Sequence, residues 1–148
     1  MHKDAVILGS LTEIVIGSAI AVHKATGPGL LESVYKACLA SEIRAQSVGV
    51  QSECRIPVYY RGAQLDIGFR ADLIVEKSVL IEVKAVRALT SIHNAQVITY
   101  LKLTGCAVGL LLNFNVPILR HGIRRLVHPA VRSGTMPIAR PPAAGPEN

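Results

Sequence analysis

The 148-residue chain has no tryptophan, few other aromatic residues and only three cysteines. Because aromatic residues are scarce and half of the residues are hydrophobic, we expect an aliphatic core. Cys38, Cys54 and Cys106 are odd in number and form no CxxC pair, which argues against a disulfide scaffold and a zinc site and suits a reducing compartment. The length suits a single domain.

Acidic residues are scarce near the C-terminus. Residues 114–148 contain a single acid, Glu147, and the arginines 120, 124, 125, 132 and 140. This excess of positive charge favours a polyanionic partner, although a role in solubility explains it equally well. From Pro129 onward the chain is rich in Pro, Ala, Gly and Arg, which predicts a disordered tail over residues 129–148 and one folded domain over residues 1–128.

A long apolar run from Ala5 to Val22 resembles a signal peptide or a membrane span by composition. Glu13 lies in its middle beside Thr12, which is too polar for the core of a signal peptide, and the run is marginal in length for a span. We therefore predict a buried helix and a cytoplasmic protein without membrane association.

The hydrophobic periodicity and the turn residues predict the order α-α-β-β-β-α-β-β. The apolar run from Ala107 to Leu112 is typical of a strand that is buried on both faces. A strand, a helix and a strand near the end favour a parallel crossover within a mixed sheet. The predicted class is α/β or α+β, with these elements: helices 10–24, 31–47 and 91–103; strands 55–60, 65–75, 79–86, 107–112 and 123–127.

The segment GFRADLIVEKSVLIEVKA, residues 68–85, predicts a hairpin whose register can be derived. With a three-residue loop at 76–78, Val75 faces Val79, Asp72 falls opposite Glu82, and Arg70 falls opposite Lys84. A two-residue loop would mix polar and apolar faces. With the three-residue loop the other face is entirely apolar: Ile67, Phe69, Ala71, Leu73 and Val75 against Val79, Ile81, Val83 and Ala85.

Two directly opposed acids repel each other unless a cation lies between them. Carboxylates together with a nearby backbone carbonyl are suitable ligands for Mg²⁺ or Mn²⁺. The alternative is a solvated face on which Arg70 and Lys84 balance Asp72 and Glu82. For an arbitrary hairpin the solvated face is the more common outcome, so the spacing alone does not decide.

Four segments together resemble the GxxExxY proteins of the PD-(D/E)xK nuclease superfamily. They are GLLESVY at 29–35, RADLIVE with Asp72, IEVKAV with Glu82 and Lys84, and HNAQVITYLKLTG with Gln96 and Tyr100. The resemblance covers about residues 10–128. It implies a restriction-endonuclease-like core, in which a central mixed sheet is flanked by helices.

The resemblance also implies roles for individual residues. Asp72, Glu82 and the backbone carbonyl of Val83 would hold Mg²⁺ or Mn²⁺, and Lys84 would act on the attacking water. Glu32 would be a further catalytic acid that binds the metal directly or through water. The helical residues Gln96, Tyr100 and His93 would contact the substrate, although a structural or exposed position for His93 fits the sequence better.

These observations predict a metal-dependent phosphodiesterase, a nuclease that acts on nucleic acid and most plausibly on DNA. The basic segment from Arg120 to Arg132 would hold the phosphate backbone. The alternatives are a catalytically inactive nucleic-acid-binding module and a regulatory subunit with the same fold. The small size also favours a homodimer or a protein partner.

Overall fold

The computed structural model describes residues 2–134, with side chains from Ala5 onward. These residues form a five-stranded mixed sheet with helices on both faces. The elements in chain order are α1 (His2–Thr26), α2 (Glu32–Arg44), β1 (Val50–Tyr60), β2 (Ala63–Val75), β3 (Val79–Lys84), α3 (Ser91–Thr104), β4 (Val108–Asn113), a 3-10 turn (Leu119–Gly122), β5 (Ile123–Val127) and α4 (Pro129–Arg132).

The predicted order of α-helices and strands from α1 to β5 and the mixed α/β class are confirmed. Helix α3 follows Thr90 and ends at Gly105, whose φ of 76° is the left-handed conformation that glycine adopts at low cost. The chain differs from the prediction after β5, since residues 129–132 form the short helix α4, and Val131 packs against the core. The remainder of the predicted tail from residue 135 onward, including Arg140, lies outside the described residues.

The sheet has the strand order β1-β2-β3-β4-β5. Strands β3 and β4 are parallel, and the other neighbouring pairs are antiparallel. Helix α3 makes the crossover between the two parallel strands, as the sequence predicts. All six residues of β4 are buried, which confirms the prediction that this strand is covered on both faces; it lies between β3 and β5 in the sheet.

Each face of the sheet has its own aliphatic core. Helices α1 and α2 cover one face, where Val15, Leu39 and Leu110 are fully buried. Helix α3 covers the other face, where Val97 and Leu101 pack on the sheet. Full burial of such a side chain stabilises the fold by about 1.5–3 kcal/mol, so these two layers hold the sheet between the helices.

Helix α1 is long and apolar enough to cross a membrane by length and composition alone. In this fold Val15, Ala19 and Val22 are buried, and His23 Nε2 donates a hydrogen bond to the Val116 carbonyl at 2.8 Å. The helix therefore contributes one side of the core, as predicted. Its solvent side carries Glu13.

The segment Gly27–Tyr35 connects α1 to α2 and explains the spacing of glycine and tyrosine in the GxxExxY pattern. Gly29 has a φ of 97°, a conformation that costs little only for glycine. The hydroxyl of Tyr35 donates to the Gly27 carbonyl at 2.6 Å and accepts from the Leu30 amide at 3.1 Å. Because the Tyr35 ring is fully buried and stacks on Phe114, the loop is attached to the core.

The helical spacing of the sequence predicts Leu31, Val34, Tyr35 and Cys38 as the apolar face of α2, which is partly wrong. Leu31 and Val34 are exposed, and the buried stripe is Tyr35, Leu39 and Ile43, at a spacing of four residues. The helix begins at Glu32, one residue later than predicted. The consequence is that Glu32 lies in the first turn, at the end of the helix that is nearest to β3.

We predict that Tyr35→Phe lowers the free energy of unfolding by about 1–2 kcal/mol, because the Leu30 amide and the Gly27 carbonyl lose their shared partner. Urea denaturation measures the change. The matched control is Tyr59→Phe, whose hydroxyl is at the surface, and its effect is expected to stay within about 0.5 kcal/mol. Equal small effects of the two substitutions would contradict this role of Tyr35.

Candidate active site

Strands β2 and β3 separate at the position of the two predicted metal-binding acids. Their ladder pairs Val75 with Val79 and ends with Leu73 opposite Ile81, which confirms the three-residue loop and the predicted register. Beyond this point the Asp72 amide donates to Glu82 Oε1 at 3.1 Å, and the Val83 amide donates to Asp72 Oδ2 at 2.7 Å. Two carboxylates therefore replace backbone acceptors at the place where the strands part.

The separation also changes the predicted faces of the hairpin. Arg70 pairs across β1 with Arg55, so its predicted pairing with Lys84 is absent. Ala71 packs on the α3 side and Leu73 on the α1–α2 side, although residues two apart in a regular strand share a face. The alternation therefore breaks at Asp72.

Glu82 is 4% exposed and lies beside a second carboxylate. Burial first, and the negative charge of Asp72 second, raise the pKa of Glu82 from 4.5 to about 8. The charge of Lys84 acts in the opposite direction. At neutral pH without a cation the pair therefore retains a proton, and a bound cation would favour the fully ionised form.

Helix α2 brings Glu32 to the end of β3. Glu32 Oε1 accepts a hydrogen bond from the Ala85 amide at 3.2 Å, one residue beyond Lys84. The loop before α2, which the Tyr35 hydroxyl holds in place, fixes the start of the helix, so the pattern places an acid at the edge of the site. The carboxylate of Glu32 thus binds the first backbone amide after the end of β3.

Lys36 and Glu53 belong to the same cluster, and the sequence interpretation missed both. The ammonium of Lys36 forms an ion pair with Glu53 and lies 3.6 Å from Asp72 Oδ1. The hydrogen bond to Glu53 is the largest cause of the raised pKa of Lys36. The sequence shows that Lys36 lies one helical turn after Glu32. Its approach to Asp72, and the position of Glu53 opposite Asp72 between the pairs Ser52–Leu73 and Cys54–Ala71, depend on the tertiary structure.

Strand β3 contributes the predicted Lys84 to the site, and helix α3 contributes Gln96 and Tyr100. Lys84 is half-buried at the end of β3, close enough to Glu82 to favour its ionised form. Gln96 Nε2 donates to the Tyr100 hydroxyl at 3.1 Å. Burial raises the pKa of Tyr100, and Glu82 raises it further, so the tyrosine lies beside the carboxylate pair as a protonated group.

His93 and Arg124 have structural contacts that their predicted roles did not include. His93 Nδ1 accepts from the Thr90 amide at 3.0 Å, so the imidazole caps the start of α3. Arg124 donates to Asn94 Oδ1 at 2.9 Å and to the Leu89 carbonyl at 3.2 Å. Of the predicted basic edge, Arg120, Arg125 and Arg132 are the exposed arginines.

The acids fit a divalent cation as a pair and not as a cluster of three. In the part of the chain with described side chains, no three His, Cys, Asp or Glu residues come close enough to hold an ion. Asp72 and Glu82 supply hard oxygen donors, and Mg²⁺ commonly keeps several water ligands. The role of Glu32 as a ligand, direct or through water, and that of the Val83 carbonyl stay predictions.

The comparison with known proteins agrees with this geometry. A family model of the PD-(D/E)XK nuclease superfamily matches residues 9–126, and the chain belongs to that superfamily. No curated protein matches the sequence. The crystal structure of SSO0001 is similar, with a TM-score of 0.51 and 20% identity over 72% of this chain, and it supports the restriction-endonuclease-like fold. The match spans 55% of that protein's length.

The raised pKa of Glu82 predicts a pH-dependent loss of stability in chelator. Between about pH 4.5 and 8 the folded state holds a proton that the unfolded state has released, so stability falls as the pH rises through this window. Glu82→Gln removes this decline. The melting temperature of Glu82→Gln relative to wild type is therefore expected to increase from pH 5 to pH 8.

The control for this comparison is Glu42→Gln, which changes an exposed acid on α2. Its melting temperature is expected to follow that of the wild type in parallel at every pH. A difference between Glu82→Gln and wild type that stays constant from pH 5 to pH 8 would show that Glu82 is ionised throughout.

A second prediction concerns the cation. Mg²⁺ or Mn²⁺ is expected to raise the melting temperature at pH 8, because a ligand that binds only the folded state stabilises it. Asp72→Asn is expected to weaken this shift, whereas Asp66→Asn, an exposed acid on the same strand, preserves it. Differential scanning fluorimetry measures the shifts. Equal shifts in wild type and Asp72→Asn would place the metal elsewhere.

Proposed function

We propose that this protein is a nuclease that hydrolyses phosphodiester bonds in DNA and requires Mg²⁺ or Mn²⁺. The observation that carries the proposal is the pair formed by Asp72 and Glu82 at the separation of β2 from β3, with Lys84 two residues further on. Membership of the PD-(D/E)XK nuclease superfamily supports it. We also propose that the chain belongs to the GxxExxY proteins of that superfamily, since the loop at Gly29 and Tyr35 positions Glu32.

Asp72 and Glu82 would hold the cation, which would polarise the scissile phosphate and acidify a bound water. A protein cation already lies in the cluster, because the Lys36 ammonium is 3.6 Å from Asp72 Oδ1 and forms an ion pair with Glu53. Lys36 therefore reduces the repulsion between acids in the metal-free protein.

Lys84 and Tyr100 would act on the reacting groups. The Lys84 ammonium would orient the attacking water and offset the negative charge that develops on the phosphate. The attacking water gives up a proton to solvent as its oxygen bonds to phosphorus, the ester P–O bond breaks, and the leaving oxygen takes up a proton from solvent. Because the Tyr100 hydroxyl accepts a hydrogen bond from Gln96, its own proton stays available for a substrate oxygen.

The decisive assay measures cleavage of single- and double-stranded DNA and RNA with Mg²⁺, with Mn²⁺ and with chelator. Lys84→Ala is expected to lower the cleavage rate by about a hundredfold or more while it preserves the fold and most of the DNA affinity. Affinity depends on many phosphate contacts, so the loss of one lysine changes it little. Binding is measured in Ca²⁺ to separate it from cleavage.

The matched control is Lys102→Ala, which removes an exposed lysine on α3 and is expected to leave cleavage unchanged. Undiminished cleavage by Lys84→Ala would remove Lys84 from the mechanism. The absence of cleavage by the wild type on every substrate and with both metals would overturn the nuclease and favour a binding module with the same fold.

A further inference from the structure

The hairpin of β1 and β2 projects beyond the rest of the sheet. Strand β1 is an edge strand whose neighbour in the sheet is β2, and every residue from Tyr59 to Arg70 is exposed. At a rise of about 3.3 Å per residue, β1 extends about 23 Å from Glu53 to Tyr60. The turn at Arg61 and Gly62 has φ values of 50° and 81°, as tight hairpin turns require.

This projecting hairpin exposes large apolar side chains that a solvated hairpin does not need. Tyr59 is 58% exposed, Tyr60 is 62% exposed and Ile67 is 76% exposed. A concentration of exposed apolar surface on a soluble domain marks a binding surface. Tyr59 and Tyr60 are consecutive residues of β1, so their rings lie on opposite faces of the hairpin, and each ring offers an aromatic face for stacking. The guanidinium of Arg61 lies 5.4 Å from the centre of the Tyr60 ring.

The charge of the same hairpin is positive. Between Cys54 and Ala71 the three arginines Arg55, Arg61 and Arg70 face a single acid, Asp66. Arg55 and Arg70 lie directly opposite each other in the ladder. Opposed like charges destabilise a strand pair, and an anionic ligand would remove that repulsion.

The base of the hairpin is continuous with the candidate active site. The Phe69 ring lies 5.2 Å from the ring of Tyr100, which borders Glu82. Arg70 is two residues from Asp72 on the same strand. A chain that is bound along the hairpin would therefore pass directly to the carboxylate pair.

An irregularity in the ladder sets the path of the hairpin. The register shifts between Pro57 and Tyr59. A Cβ atom on Gly68 would lie 2.6 Å from the Ile56 carbonyl oxygen, so this close approach of the strands requires glycine. Bulges of this kind occur beside active sites, where they redirect a strand and its side chains.

We propose that residues 55–70 form an arm that binds single-stranded nucleic acid. Unpaired bases would stack on Tyr59 and on Tyr60, one on each face of the hairpin tip, while Arg55 and Arg70 would bind phosphates. Stacking on protein aromatics requires exposed base faces, which a duplex hides, so the aromatic surface favours a single strand. The binding stands on the hairpin alone, and the delivery of the strand to Asp72 and Glu82 rests on the proposed nuclease function.

The test compares fluorescence anisotropy of a labelled 20-nucleotide DNA and of its duplex, both in Ca²⁺. The double variant Tyr59→Ala/Tyr60→Ala is expected to bind the single strand at least tenfold more weakly and the duplex less than threefold more weakly. Tyr59→Phe/Tyr60→Phe keeps both rings and is expected to stay within threefold of wild type. Melting temperatures verify that all variants are folded.

A second variant tests the phosphate contacts independently of the tyrosines. Arg55→Gln/Arg70→Gln is expected to weaken single-strand binding and to reduce the slope of log affinity against log salt by about 1.4, the value for two contacts on a single strand. The tyrosine variant is expected to leave this slope unchanged.

Three results would overturn the arm: a wild type that binds no single strand, equal weakening for single strand and duplex in the alanine variant, or variants that change self-association in sedimentation but not DNA binding. The nuclease is judged separately. If the alanine variant loses single-strand binding but the wild type cleaves no substrate, the arm is supported and the nuclease function is overturned. If the wild type cleaves nucleic acid and the alanine variant keeps its single-strand binding unchanged, the nuclease function is supported and the arm is overturned.

Discussion

The separation of β2 from β3 after the Leu73–Ile81 pair is the constraint on which the rest of the site depends. A sheet that opens in its interior leaves backbone amides without strand partners, and unpaired buried amides are costly. Here the Asp72 and Glu82 carboxylates accept from those amides, which brings two acids together in a buried position. The fold thus compensates for its own opening with the groups that a divalent cation binds. The proximity of Lys36 and Lys84 follows from the same need to balance charge.

Local patterns in the sequence predicted the order of the elements and the register of the hairpin well. The turn at 76–78 and the strict alternation of apolar residues next to it leave one register that keeps the faces separate, and that register is present. Helix α3 was equally predictable, because Thr90 and Gly105 mark its ends. The buried strand β4 is a continuous apolar run, and such a run has few alternatives in a domain of this size.

The features that were not predictable depend on contacts between distant parts of the chain. Lys36 reads as an ordinary surface lysine until α2 is placed against β1 and β2. Ile67 and Phe69 continue the alternation of the core, yet they lie where the β1–β2 hairpin projects beyond β3, so they are exposed. His93 is a plausible phosphate ligand by its helical position, whereas its imidazole caps the helix that carries it. In each case the residue type is informative, but its partner is set by the tertiary structure.

The proline in β1 has a consequence for how the chain behaves in a crowded solution. An extended edge strand with tyrosine and isoleucine nearby is a template onto which another polypeptide can add a strand, the first step of sheet-like aggregation. Pro57 lacks an amide hydrogen, the register shifts next to it, and Arg55 adds charge two residues earlier. Another strand would meet a positive charge, a residue without a donor and a register shift within the five residues 55–59. These features therefore oppose strand addition at the exposed edge, although the tip of the hairpin exposes two aromatic side chains.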